Sequence, residues 1–104
     1  MSESRIDALR SLLEKRPNDP RLRFGLAVEY LNAGALAEGV RELQAYLDSH
    51  DDEGNGWGRL ARVQMELGRE DEARAAWRKA VEAAERHGHP TMADEFREEL
   101  EELA

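Results

Sequence analysis

Apolar residues return at every third or fourth position in six blocks along the chain, parted by polar runs or by Pro and Gly. Such spacing lines one face of an α-helix. The first block, residues 4–16, puts Ile6, Leu9, Leu12 and Leu13 on that face. Ser4 is a good N-cap with Asp7 behind it, and Lys15 and Arg16 suit the negative end of the helix dipole. Pro17 and Pro20 end this helix and hold the Pro-Asn-Asp-Pro link extended. Residues 21–33 carry two stripes: Leu22, Leu26, Tyr30 and Ala33 with Ala27 beside them, and Phe24, Val28 and Leu31. A helix lying on one core needs a single stripe, so two predict a helix that is sandwiched or lines a groove. Gly34 then permits a tight left-handed turn.

Residues 36–49 continue with Leu36, Val40, Leu43 and Leu47, and Tyr46 adjacent. The polar stretch from Asp48 to Gly56 reads as a solvated acidic loop. Two more helical patterns, 57–67 and 70–87, lie back to back around Gly68. The first shows Trp57, Leu60, Ala61 and Gln64, the second Ala73, Trp77 and Ala80. Gly88-His89-Pro90 closes the second. The last block, 91–103, sets Met92, Phe96, Leu100 and Leu103 against a row of acids, with Thr91 as its expected N-cap and Asp94 and Glu95 near its positive end.

Gly34 and Gly68 stand 34 residues apart, and at the same offset Leu26 pairs with Leu60, Ala27 with Ala61, Gly39 with Ala73 and Leu43 with Trp77. Leu36 against Glu70 is a mismatch. A period of 34 with two helices per period resembles the tetratricopeptide repeat. Trp57, Leu60, Ala61, Ala73, Trp77 and Ala80 fit the family's pattern of small residues that let helices approach and bulky ones that fill the gap between pairs. The earlier copy departs more, with Arg23 in the place of Trp57 and Tyr46 in that of Ala80. The chain also resembles, as a whole, short bacterial proteins of this family. The resemblance implies an all-α fold of about six helices, antiparallel helix-turn-helix units stacked as a short right-handed superhelix. It divides a single domain into a trailing half-repeat (4–16), two repeats (20–53 and 54–87) and a terminal capping helix (91–103).

In that family the first helix of each pair lines a concave face that holds peptides of partner proteins. The resemblance therefore places Arg21, Phe24, Val28 and Leu31, and then Asn55, Arg59, Arg62 and Met65, on a peptide-binding face. Apolar side chains flanked by Arg suit an apolar segment with carboxylates beside it. Some members clamp a partner's C-terminal carboxylate with Lys and Asn; Phe24, Val28 and Arg59 occupy the matching positions, so that activity is not implied. The expected function is a protein–protein interaction module. The alternative is a self-associating protein, a homodimer for example, in which the Glu-ringed stripe of Met92, Phe96 and Leu100 docks into the Arg-bearing groove of another copy.

Composition narrows the other classes. The net charge is −8, of which residues 91–104 supply −5 with six acids and one Arg. That balance opposes nucleic acid as the main partner, because phosphate binding needs a basic surface. There is no cysteine, hence no disulfide, thiolate or cysteine-based zinc chemistry. The N-terminus lacks the apolar run of a signal peptide, and no segment has the length of a membrane span, so a cytoplasmic protein is expected. His50 among Asp48, Asp51, Asp52 and Glu53 has metal-ligand residue types without a recognised spacing. His87 and His89 end a helix, where a cationic His favours the dipole. No nucleophile turn or Gly-rich phosphate loop is present. Neither an enzyme nor a cofactor or metal site is expected.

Overall fold

The computed structural model describes residues 2–103, with side chains from residue 5 onward. Six helices follow one another: α1 (Ser2–Lys15), α2 (Pro20–Asn32), α3 (Leu36–Ser49), α4 (Asn55–Glu66), α5 (Glu70–Arg86) and α6 (Pro90–Glu102). No strand occurs among the described residues. The chain divides between His50 and Asp51 into two compact units, α1–α3 and α4–α6.

In the first unit α2 packs against both α1 and α3, the sandwiched arrangement that its two stripes allow. One stripe meets α1: Leu22, Leu26 and Tyr30 close on Ile6, Leu9 and Leu13. The other stripe turns toward α3, where Leu31 lies so close to Gly39 that a Cβ there would stand 2.4 Å from its side chain. Leu12 does not join this core; it is 40% exposed. α1 already runs from Ser2, so Ser4 lies inside the helix and not at its start, and its side chain is outside the described residues. Asp19 caps α2 instead, accepting the Arg21 N–H at 3.0 Å, and Pro20 takes the first helical position.

The two repeat turns are built alike. Gly34 and Gly68 have φ of +79° and +74°, the left-handed conformation that glycine adopts without a steric cost. Around them the Ala35 N–H reaches the Tyr30 carbonyl at 2.9 Å and the Arg69 N–H the Gln64 carbonyl at 2.8 Å. These bonds satisfy carbonyls that each helix end would otherwise leave open.

In the second unit α5 packs against α4 and α6. Its buried face is nearly all alanine, namely Ala73, Ala76, Ala80, Ala83 and Ala84 around Trp77, which is 2% exposed. Phe96 of α6 lies 5.5 Å from the Trp77 ring, centroid to centroid. A Cβ on Gly58 of α4 would stand 2.9 Å from the Phe96 ring, so that glycine is the slot the ring enters. Arg97 pairs with Glu85 of α5 and with Asp94, and Arg74 donates to the Leu103 carbonyl at 2.8 Å. α6 starts at Pro90, with His89 at the cap position and no side-chain cap, so Thr91 lies within its first turn and is not the N-cap.

The acidic loop departs from expectation. It is anchored, because each of three consecutive acids has its own partner. Asp51 accepts from Arg86 at 2.7 Å and faces His87 Nε2 at 3.0 Å. Asp52 is 5% exposed, and its Oδ2 accepts the Gly54 and Gly56 N–H groups at 2.8 Å each and that of Trp57 at 3.4 Å. Glu53 meets His89 Nε2 at 2.6 Å. Asp52 thus satisfies the open donors at the start of α4, which begins at Asn55, two residues before the expected Trp57. Through these contacts residues 51–53 belong with the second unit.

Two outcomes follow for stability. Gly25→Ala meets only Leu9, at 3.8 Å, and should stabilise the protein by about 0.5–1 kcal/mol through helix propensity. Gly58→Ala must displace Phe96 and should destabilise it by about 1–2 kcal/mol; urea titrations followed by circular dichroism compare the two, and a Gly58→Ala protein as stable as the parent would mean that Phe96 does not depend on that slot. The second outcome concerns pH. The Arg86 hydrogen bond holds the Asp51 carboxyl below its usual range, against a smaller opposing desolvation and aided by the charges of Arg86 and His87 and the His87 hydrogen bond. A carboxyl whose folded pKa is depressed contributes stability that is fully present above its unfolded value, about 3.9, and is lost as pH falls through the folded one. Asp51→Asn should therefore lower stability above about pH 4 and converge with the parent at more acidic pH, as read by urea midpoints across an acid series.

Candidate functional site

The eight residues expected on a peptide-binding face fall into two groups of four, one in each unit. On α2 they diverge in character. Arg21 is almost fully exposed, at 93% for its side chain, and lies 3.9 Å from the Asp19 carboxylate. Phe24 is half-buried, with its ring 5.0 Å from that of Tyr46 on α3. Tyr46 is in turn 5.1 Å from the His50 ring. Val28 is half-buried. Leu31 is taken up by its contact with Gly39 and serves the α2–α3 hairpin. Of the apolar three, Val28 is the one for which no neighbouring ring or glycine slot accounts, whereas the Phe24 ring is engaged by Tyr46.

The α4 group is more coherent. Asn55, Arg59, Arg62 and Met65 follow at spacings of four, three and three residues, which keeps them along one side of the helix. Asn55 and Arg62 are exposed, Arg59 is half-buried, and Met65 is 38% exposed. The opposite side, with Leu60, Ala61, Val63 and Gln64, is buried. The Arg62 guanidinium carbon lies 5.4 Å from the centroid of the Trp77 ring, within the range of a cation–π contact. Gln64, buried to 7% exposure, accepts from Arg69 at 3.4 Å. The Asp52 carboxylate, which accepts from the amides of Gly56 and Trp57, fixes where this helix starts.

Sequence reasoning did not find one feature. A cleft of about 680 Å³ opens in the first unit, with Leu13, Leu26 and Tyr30 as its apolar part and Arg10, Arg41, Glu14 and Glu38 among its charged rim. Three helices form it together, and no spacing within any one of them announces it. Among the described residues no group of three His, Asp or Glu side chains is placed to hold a metal ion. None of the helices is long and apolar enough to cross a membrane.

Known proteins share this architecture. PcrH, solved in complex with the chaperone binding region of PopD, superposes with a TM-score of 0.88 over 98% of this chain and 77% of its own, at 17% identity. A protein from Bordetella parapertussis solved in solution gives 0.78 at 24% identity, over 94% of this chain and 85% of that one. MamA gives 0.74 at 26% identity, over 81% of this chain and 50% of MamA. At such identities the first two likenesses establish the fold alone, that of helical repeats. In sequence, a TPR repeat-containing protein of Pseudomonas aeruginosa is 31% identical over 83 residues, 80% of this chain and 79% of that protein. The tetratricopeptide repeat profile itself matches residues 1–84, and the chain belongs to the tetratricopeptide repeat family.

Proposed function

We propose that this protein is an interaction module that holds peptide segments of partner proteins, with the outward side of α4 in the second unit as one binding face and that of α2 in the first unit as another. The observation that carries the reading is the line of Asn55, Arg59, Arg62 and Met65 on α4. It sets an exposed thioether among donors, on a side of the helix that the buried residues leave outward. Methionine adapts its shape to varied apolar partners, and arginines add directed hydrogen bonds. On α2 the corresponding contribution comes from Arg21 and Val28. The likeness to PcrH, which is solved with a region of PopD bound, supports a peptide as the ligand class. The reading needs no cofactor and assigns no catalysis. It takes the protein as a cytoplasmic one whose acidic charge disfavours nucleic acid.

Self-association through the terminal helix has less support. Phe96, the centre of the stripe that would dock into another copy, is 5% exposed and already lies on Trp77 and Gly58 of its own unit.

Photo-crosslinking tests the proposal. A benzophenone amino acid placed at Met65, or at Val28, should capture a discrete partner band in cells, and the same group at exposed Lys79 on α5 should not. Equal capture at all three positions, or capture at Lys79 alone, would remove α2 and α4 as the binding faces.

A further inference from the structure

Leu12 is one of two large apolar side chains that the described structure leaves exposed, at 40%. It stands on α1, whose other apolar side chains, Ile6, Leu9 and Leu13, pack toward α2. On a helix the neighbours of a side chain are those three and four residues away. For Leu12 these are Ala8 and Leu9 before it and Lys15 and Arg16 after it. Arg16 still follows the helical path, since its N–H donates to the Leu12 carbonyl at 2.9 Å. Ala8, Lys15 and Arg16 are exposed, and among the described residues no ion pair engages either cation. Asp7 and Glu14 stand five residues before Leu12 and two after it, on other sides of the helix. This side of α1 is therefore an apolar spot with two available cations one turn beyond it.

The C-terminal half of α6 is the converse. Glu98, Glu99, Glu101 and Glu102 are exposed, and Leu100 and Leu103 beside them are half-buried. Among the described residues none of the four carboxylates is in an ion pair, and the nearest cation, Arg97, is engaged by Glu85 and Asp94. They stand at the negative end of the helix dipole, where carboxylates are disfavoured, and the last turn of α6 holds no basic residue. Glu98 is also three and four residues from Glu101 and Glu102, the spacing at which like charges repel. A cationic face laid against this end of α6 relieves both effects.

We infer that the Leu12 face of α1 is a docking surface for the acidic end of α6 of a second copy of this chain. Leu12 packs on the open parts of Leu100 and Leu103, and Lys15 and Arg16 pair with the glutamates beside them, Glu99 and Glu102 foremost. The contact joins two different faces and is heterologous. The register of the repeat agrees with it. The glycine turns at 34 and 68 make α2 and α4 first helices of a pair and α3 and α5 second ones. By the same alternation α1 is a second helix and α6 a first. α6 against α1 thus repeats, between copies, the pairing that the chain makes twice within itself. The Phe96 stripe takes no part, because Trp77 and Gly58 of its own unit already hold that ring. The contact uses neither α2 nor α4 and goes beyond the peptide-binding reading.

Sedimentation velocity of the whole protein over a concentration series tests it. The mean mass should rise with concentration above that of one chain. Leu12→Ser should weaken the association about tenfold, as expected for the loss of an apolar anchor. The charge reversals Lys15→Glu/Arg16→Glu and Glu99→Lys/Glu102→Lys should each weaken it by about tenfold or more. Lys79→Gln, on the exposed side of α5, should leave it unchanged; circular dichroism confirms that each variant is folded. The two charge-reversed proteins should associate again when mixed, because each presents the face that the other now needs. A mass that stays that of one chain up to about 1 mM would overturn the inference, as would association that survives Leu12→Ser and both charge reversals. So would one charge-reversed protein that still associates alone and gains nothing on mixing, the outcome for α1 on α1 or α6 on α6.

Discussion

Two helices can approach only as far as the side chains between them permit, and the alanine face of α5 sets that distance for half of this protein. With Ala73, Ala76, Ala80, Ala83 and Ala84 turned inward, the neighbouring backbones come close enough for one large residue, Trp77, to fill the space that remains. Other features then depend on it. Phe96 can reach across to Trp77 because Gly58 leaves room for its ring. Arg62 finds an aromatic face to lie over because Trp77 is held in place from below. The outward face of α4 is in this sense a product of the core beneath it, and its chemistry is shaped by residues that a ligand would never touch.

The first unit solves the same problem with a different assortment. A glycine, Gly39, receives a leucine, Leu31, and aromatic contact passes from Phe24 to Tyr46. The consequence is that α2 uses more of its apolar surface internally than α4 does. Its second stripe is largely absorbed by α3, with Val28 the member that neither contact accounts for. The two helices occupy equivalent positions in the repeat, yet they differ in what they can offer a partner.

Most of the architecture was legible from spacing because helices of this kind must bury a stripe, and the stripe shows which residues lie on it. All six helices were anticipated, with ends within about two residues, and the glycine turns at 34 and 68 could be assigned by their period. What spacing cannot show is what covers a stripe. Phe24, Val28 and Leu31 looked alike in the sequence; only their contacts separate Leu31, which serves the hairpin, from Val28. The loop at 51–53 was misread for a related reason. Its acids look like a solvated run because their partners, Arg86, His87 and His89, lie about 35 residues further along the chain. Asp52 carried a local signal, a carboxylate just before a helix start, but the intervening glycines moved that start and hid it.

The loop also constrains how a protein of this kind can vary. Most connections between helices accept an added or missing residue, since their backbone is solvated and only the closure distance changes. Here the side chains of Asp51, Asp52 and Glu53 point in turn to the end of α5, the start of α4 and the start of α6. One inserted residue would shift every acid by one position, present the wrong side chain to each partner and leave the first amides of α4 without an acceptor. Length variation is thus barred from a segment whose composition alone marks it as permissive, and a splice, tag or domain insertion placed there would break three junctions at once.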